Sequence, residues 1–188
     1  MNDTARTITR AALAGVVASV AMGMVAMIAA ATYQDTGFFT PLYHIASLVV
    51  APDPMMESMM AASAGTTFTF VAGPALGGLM IHMMVGAGFG AIFGLILTRL
   101  PGLGAGARVG AGIAFGVAAF AASAFVLLPM MSVVANDADA IKNMASMVGY
   151  PTFLLEHVVF GTVLGALSVS ATASASQPAA AGRQAVKA

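Results

Sequence analysis

The chain has 188 residues, of which 60% are hydrophobic and only 7% are charged, and its formal net charge at pH 7 is zero. A soluble globular domain carries about 25% charged residues, so this composition excludes an ordinary soluble protein and indicates an integral membrane protein in a lipid bilayer. The zero net charge gives no electrostatic basis for binding nucleic acid. The absence of cysteine excludes disulfides, thiolate metal sites and cysteine nucleophiles.

The first apolar segment, residues 11–31, follows a polar stretch, residues 1–10. It is long enough to cross a bilayer and longer than the apolar core of a signal peptide, which has about 7–15 residues. A cleaved signal peptide is the alternative, because the three alanines 29–31 imitate a cleavage site. We predict a retained transmembrane helix.

A long external connection, residues 32–74, separates this segment from the next apolar one. It contains an apolar run, residues 38–51, that Pro41 interrupts and that is too short to span a bilayer. Runs of this length are typical of interfacial or re-entrant segments, so we predict such a helix near residues 42–51. The methionine-rich stretch that follows predicts a short helix at residues 54–62.

Three further apolar segments are long enough to cross a bilayer. The loop 99–108, with an arginine at each end, joins the first two, and Pro129 is expected to end the second. Residues 132–149 predict a polar loop, and the Ala/Ser-rich tail, residues 171–188, predicts a disordered segment. The predicted spans are residues 75–98, 109–131 and 151–170.

Basic residues are distributed unequally between the two sides of these spans. If the N-terminus is cytoplasmic, every Lys and Arg except Lys142 lies on the cytoplasmic side, as the positive-inside rule requires. The sequence therefore predicts an all-α protein with four transmembrane helices and both termini cytoplasmic, in the plasma (inner) membrane.

The second and fourth predicted spans share a pattern. Residues 79–92 align with residues 154–167 so that a histidine and two glycines, spaced by four, coincide. Residues four apart lie on one face of a helix, and small residues there allow another membrane helix to approach closely. We therefore interpret the chain as two tandem two-helix repeats packed through glycine faces. The predicted packing glycines are Gly78, Gly86, Gly90, Gly94, Gly112, Gly116, Gly161 and Gly165.

Three histidines and one glutamate are the candidate reactive side chains. His82 and His157 lie in the outer halves of their spans, His44 lies in the external connection, and Glu156 is the only charged residue inside a predicted span. Ionisable groups inside a membrane are functional candidates by default. The histidine pair either hydrogen-bonds between helices and fixes their register or binds a metal ion. Glu156 is either a protonated carboxyl bonded to a neighbour, or a proton-linked or outer-sphere group of that site.

Methionine is abundant, with 15 residues that lie mostly towards the predicted outer side. Filling irregular gaps in small-residue helices explains the abundance but not the bias to one side. Thioether and imidazole together suit Cu(I), so we predict a copper-type site at the outer end of the bundle. Haem b is the less favoured cofactor, because close glycine packing leaves little room between the histidines. The predicted ligands are His82, His157, His44, Met80, Met83, Met84, Met55, Met56, Met59 and Met60.

The sequence shows no recognisable catalytic motif, which leaves enzyme activity open but favours a non-catalytic role. Two alternatives to metal binding remain. The chain is then an accessory or assembly subunit, forming a homo-oligomer or joining a larger membrane complex through its glycine faces. Otherwise it is a small proton-coupled carrier that uses Glu156.

Overall fold

A computed structural model of the chain describes residues 2–173, and the side chains of residues 2–169. These residues fold into helices and connecting turns without a β-strand, so the predicted all-α fold is confirmed. Four helices are long and apolar enough to cross a membrane, as predicted. The last one extends into the predicted tail, of which residues 174–188 lie outside the described part. In chain order the helices are α1 (Asp3–Thr32), α2 (Thr40–Ala46), α3 (Asp53–Ser63), α4 (Ala72–Thr98), α5 (Ala105–Ala122), α6 (Leu128–Ser132), α7 (Ala138–Val148) and α8 (Tyr150–Ala173).

The first long helix starts earlier than predicted. α1 begins at Asp3 because the side-chain oxygen of Asn2 accepts a hydrogen bond from the Ala5 amide at 2.8 Å. Such a cap satisfies an amide that has no partner inside the helix. With 30 residues, α1 is about 45 Å long at 1.5 Å per residue and therefore exceeds the hydrocarbon core of about 30 Å.

Pro129 does not end the third long helix, which corrects the sequence prediction. The helix continues from Ala105 to Ser132, with a π-helical turn at Ser123–Leu127 between α5 and α6. Proline has no amide hydrogen, and its ring clashes with the carbonyl of the residue four positions earlier, here Phe125. Because Phe125 lies inside the wider π-helical turn, the helix accommodates the proline instead of breaking.

The prediction of a polar loop at residues 132–149 is also wrong, because most of this segment forms α7. The Asp137 carboxylate caps the helix by accepting a hydrogen bond from the Ala140 amide at 3.0 Å, and Gly149, with φ of 86°, ends it. One face of α7 buries Ile141 and Met144. The amphipathic spacing of these residues was the available signal.

The long connection between the first two spans contains two short helices. α3 lies within one residue of the predicted helix at 54–62, whereas α2 ends earlier than the predicted helix at 42–51. α2 is anchored by Tyr43, whose hydroxyl donates to the Thr69 carbonyl and accepts from the Val71 amide, both at 2.7 Å. This connection is therefore a folded part of the molecule.

The four long helices form a bundle. α1 packs against α4 and α8, and α5 packs against α8. α4 and α5 meet through aromatic rings, with the Phe115 ring centroid 5.2 Å from that of Phe93 and 6.2 Å from that of Phe89. We call the end where α2 and α7 pack on the long helices the capped end. The opposite end, where α1 and α5 begin, is the arginine end.

Glycines bring the backbones of α1 and α4, and of α5 and α8, into contact. A Cβ atom at Gly86 would lie 2.5 Å from the Ser19 Cβ, and one at Gly161 would lie 2.9 Å from the Gly112 carbonyl carbon. Each predicted packing glycine has a neighbour closer than 3.0 Å to the position of an added Cβ, so none of these positions has room for a side chain. Within α4 and α8 these glycines are Gly78, Gly86, Gly90, Gly94, Gly161 and Gly165, and within α5 they are Gly112 and Gly116.

Candidate functional site

A cavity of about 150 Å³ lies inside the bundle near the capped end. All four long helices, together with α2 and α7, contribute to its walls, and most of the lining side chains are apolar. The exceptions include His44, His82, His157 and Glu156. The structure thus brings every histidine of the chain and its one intramembrane carboxyl group to a single cavity.

His82 connects α4 to α1. Its Nε2 donates a hydrogen bond to the carbonyl oxygen of Ser19 at 2.9 Å. The imidazole packs over Gly23, where an added Cβ atom would lie 3.6 Å from the ring. Because a carbonyl accepts only from a protonated nitrogen, the neutral His82 ring keeps its lone pair on Nδ1.

His157 is bonded within its own helix. Its Nδ1 donates to the Phe153 carbonyl at 2.7 Å, and its side chain is 4% exposed. The Phe153 and Phe120 rings pack edge-on against the imidazole, with centroids 4.5 and 6.0 Å away. The neutral ring therefore keeps its lone pair on Nε2. His157 and His82 lie within electrostatic range of each other.

His44 joins α2 to α7 at the capped end. Its Nε2 donates to the Ala140 carbonyl at 2.8 Å. Burial lowers the pKa of His44 below its ordinary value, against the opposing effects of the Ala140 hydrogen bond and the Asp137 carboxylate. The imidazole is therefore neutral at neutral pH, and its Nδ1 carries the lone pair.

The three imidazoles share one feature, which is a ring N–H held by a backbone carbonyl. Metal-binding histidines characteristically donate their second ring N–H to a carbonyl or carboxylate, which fixes the tautomer and the ring orientation. The lone pairs left over, on Nδ1 of His44, Nδ1 of His82 and Nε2 of His157, are the nitrogens that a metal ion or a hydrogen-bond donor would use.

Glu156 precedes His157 on α8 and is 3% exposed. Its Oε1 is buried and has no hydrogen-bond partner among the described residues. The nearby His82 bonds to the Ser19 carbonyl and not to Glu156. A buried carboxyl oxygen without a partner is unfavourable, so the cavity wall offers an unmatched acceptor to a proton donor or a cation.

The methionines that line the cavity are not those predicted from the sequence. Met80 and Met84 are exposed on α4, and Met55 is buried in another cluster, against Leu42 and Tyr43. Met56, Met59, Met60 and Met83 do not line the cavity either. The thioethers in its wall belong to Met22, Met131 and Met144. Only the helix packing selects these three from the 15 in the sequence.

The donor set limits which metal or cofactor fits. Within the described residues, no three His, Asp or Glu side chains approach closely enough to hold a metal ion together, as a closed zinc site requires. Imidazole and thioether donors in a site of low coordination number suit Cu(I). A cavity of about 150 Å³ accepts a benzene-sized molecule, so the four-ring macrocycle of haem b does not fit.

The sequence matches no protein-family profile, and comparison with curated proteins and with solved structures gives no match. The function is therefore argued from the cavity and its side chains.

Proposed function

We propose that this multi-pass membrane protein binds a soft metal ion, Cu(I), in the cavity at the capped end of the bundle. One observation carries the proposal: three imidazoles with carbonyl-bound N–H groups and a carboxyl oxygen without a partner line a single cavity. A cation is the ligand that would satisfy both kinds of group. The bound ion would place a positive charge near the Glu156 carboxyl without displacing any hydrogen bond of the histidines.

His82 and His157 are the proposed principal ligands, because they approach the cavity from α4 and α8 and lie in electrostatic range of each other. A thioether of Met22, Met131 or Met144 completes a low-coordinate Cu(I) site. His44 closes the cavity from α2. Glu156 offsets the charge of the ion from the outer sphere or exchanges a proton as the ion binds.

The exposed methionines near the capped end are proposed to capture the ion. Met56 and Met60 on α3, and Met80 and Met84 on α4, are each more than half exposed. Weakly bound thioethers outside a buried site raise the local concentration of a soft ion without competing with the imidazoles. Met59 and Met83 on the same helices are partly exposed and extend this set, whereas Met55 is buried and does not belong to it.

The capped end is proposed to face the outside, with both termini cytoplasmic and the protein in the plasma (inner) membrane. The positive-inside distribution supports this orientation, because Arg6, Arg10, Arg99 and Arg108 lie at the arginine end and Lys142 lies on α7. α2 is proposed to be interfacial or re-entrant. The matching glycine contacts of the two helix pairs support the interpretation as tandem repeats.

The test is a competition titration between untagged, detergent-purified protein and a coloured Cu(I) chelator. We expect the His82→Ala/His157→Ala double variant to lose binding. Met22→Leu is expected to weaken binding. Met24→Leu is the matched control, because Met24 lies two residues further along α1 and does not line the cavity. A double variant that stays folded and binds Cu(I) with the stoichiometry of the unmodified chain would contradict the proposal.

A second candidate function is assembly with another membrane protein or a second copy. The predicted glycine faces are covered within the chain, but α5 leaves a different small-residue face exposed, Gly106, Gly110, Ala114 and Ala118, at intervals of four. Small residues with this spacing favour helix association in membranes. Gly110→Leu should then reduce cross-linked oligomer, whereas Gly88→Leu, also on an exposed helix face, should not.

The carrier alternative rests on Glu156 alone. An unmatched carboxyl in a cavity that all four long helices line could exchange a proton as a solute moves. Its test is flux into vesicles containing the protein, which Glu156→Gln should stop.

A further inference from the structure

A second cavity, of about 50 Å³, lies at the arginine end. It is separate from the histidine cavity, and its walls come from the ends of all four long helices. Arg10 and Thr7 contribute from α1, Leu97 from α4, Arg108 from α5 and Ser168 from α8. Two arginines that are far apart in the sequence thus line one small space.

Arg108 is held in place at this cavity by neutral acceptors. Its Nε donates to the Leu103 carbonyl at 3.0 Å, and its Nη1 lies 3.5 Å from the Ser168 carbonyl oxygen. The backbone of Arg108 is also fixed, because its carbonyl oxygen would lie only 2.7 Å from a Cβ added at Gly165. A guanidinium has five N–H groups, so these contacts leave donors for a ligand and do not neutralise the positive charge.

The hydroxyl groups in the wall, those of Thr7 and Ser168, already donate hydrogen bonds to backbone carbonyls. Thr7 Oγ1 donates to the Asp3 carbonyl at 3.0 Å, and Ser168 Oγ donates to the Leu164 carbonyl at 2.8 Å. Among the described residues at this end, Asp3 is the acidic one, and its carboxylate lies 3.6 Å from Arg6. Among the described residues that line the cavity, the charged side chains are the two arginines, and both are positive.

We propose that this cavity binds a phosphate group, supplied by the headgroup of an anionic lipid. The positive charges of Arg10 and Arg108 repel each other across this small space, and an anion bound between them would attract both. The planar guanidinium matches phosphate oxygens in geometry. The cavity has room for roughly three to five water-sized groups, and it lies at the ends of membrane helices, where basic pockets bind acidic headgroups. Buried Leu97 supplies an apolar wall.

Arg108 also lies near the end of α8, and a purely structural role as a helix cap is the competing explanation. That explanation involves Arg108 alone. It predicts no effect of Arg10 on lipid binding, so a comparison of the two arginines separates the alternatives.

The experiment measures the thermal unfolding midpoint of the full chain in micelles titrated with phosphatidylglycerol, phosphatidylcholine or inorganic phosphate. We expect phosphatidylglycerol to raise the midpoint more than phosphatidylcholine does. Arg10→Gln and Arg108→Gln should each lower the apparent affinity for phosphatidylglycerol about fivefold. The matched control is Arg99→Gln, because Arg99 is exposed at the same end but does not line the cavity.

The titration has a distinct result for each explanation. If inorganic phosphate reproduces the effect and both arginine variants remove it, the phosphate site stands and its source is the free ion. If both variants respond to phosphatidylglycerol as the unmodified chain does, or if Arg99→Gln weakens the response equally, the proposal is overturned. Arg10→Gln keeps the test decisive should Arg108→Gln fail to fold, because the side-chain bonds to the Leu103 and Ser168 carbonyls are made by Arg108.

Discussion

Glu156 is the residue that points most directly to a ligand in the histidine cavity. Its Oε1 is buried without a partner in the described part of the chain, beside His157 and in the wall that His44 and His82 also line. Apolar side chains elsewhere in the wall supply no hydrogen bonds. An unsatisfied group in such a place is unfavourable for the fold, which is why we assign it a role in binding.

Glu156→Gln tests that role with little change in size. If Glu156 stabilises the bound ion from the outer sphere, the variant should lose about 10–100-fold in Cu(I) affinity, the range typical of outer-sphere partners. The measurement is the chelator competition titration. Asp139→Asn, at an exposed position on α7, is the matched control, and an unchanged affinity in Glu156→Gln would remove Glu156 from the site.

His44 gives the molecule a pH-dependent stability. Because the pKa of folded His44 is lowered from 6.5, the unfolded chain binds more protons than the folded one below about that pH. The free energy of unfolding that depends on neutral His44 is fully present above pH 6.5, and it decreases as the pH falls towards the pKa of the folded state. His44→Gln keeps a donor for the Ala140 carbonyl but does not titrate.

The check is the thermal unfolding midpoint of both proteins between pH 7.5 and 5. We expect the unmodified chain to lose more stability on acidification than His44→Gln, with the difference appearing below pH 6.5. The Asp137 carboxylate also faces His44, so Asp137→Asn is the companion variant. Parallel curves for the unmodified chain and His44→Gln would contradict the prediction, because they would mean that His44 has the same pKa in the folded and unfolded chain.

At the scale of elements, glycine packing joins the helices in pairs. Gly86→Ala would place a Cβ 2.5 Å from that of Ser19, whereas Gly88→Ala, two residues along α4, meets nothing within 4 Å. Overpacking typically destabilises a protein by about 1–3 kcal/mol, while replacing an unconstrained helical glycine by alanine gains about 0.5–1 kcal/mol. We therefore expect opposite changes in the free energy of unfolding, measured by denaturation in mixed micelles.

An equal response of the two variants would mean that the α1–α4 contact is not as close in solution. The α5–α8 pair allows the same comparison to be made independently. Gly161→Ala should destabilise, because its Cβ would lie 2.9 Å from the Gly112 carbonyl carbon, and Gly110→Ala, which has open space around it, should not.

The four apolar helices were predictable, because span length and the absence of charge are local properties of the sequence. α7 was missed because its polar residues suggested a loop, although Ile141 and Met144 lie on one helical face. The continuation of the helix through Pro129 was not predictable, because the π-helical turn that accommodates the proline depends on how the helix packs. The histidines were identified from their spacing, whereas Met22 and Met131 required knowledge of which helices meet at the cavity.

At the scale of the whole molecule, the orientation in the membrane decides which side the histidine cavity faces. The chain has no cysteine, so a single introduced cysteine is a clean label site. Asn143→Cys at the capped end should react with a membrane-impermeant thiol reagent in intact cells. Leu100→Cys at the arginine end should react only after the membrane is permeabilised, and the reverse pattern would invert the proposed topology.

The most direct test of the account is elemental analysis, with an absorption spectrum, of untagged protein purified in detergent. We expect close to one copper per chain, no Soret band, and loss of the copper in His82→Ala/His157→Ala. Protein that is free of metal and fails to take up added Cu(I) would contradict the metal proposal. His82 would then serve only to join α4 to α1, and His157 only to pack against the Phe153 and Phe120 rings.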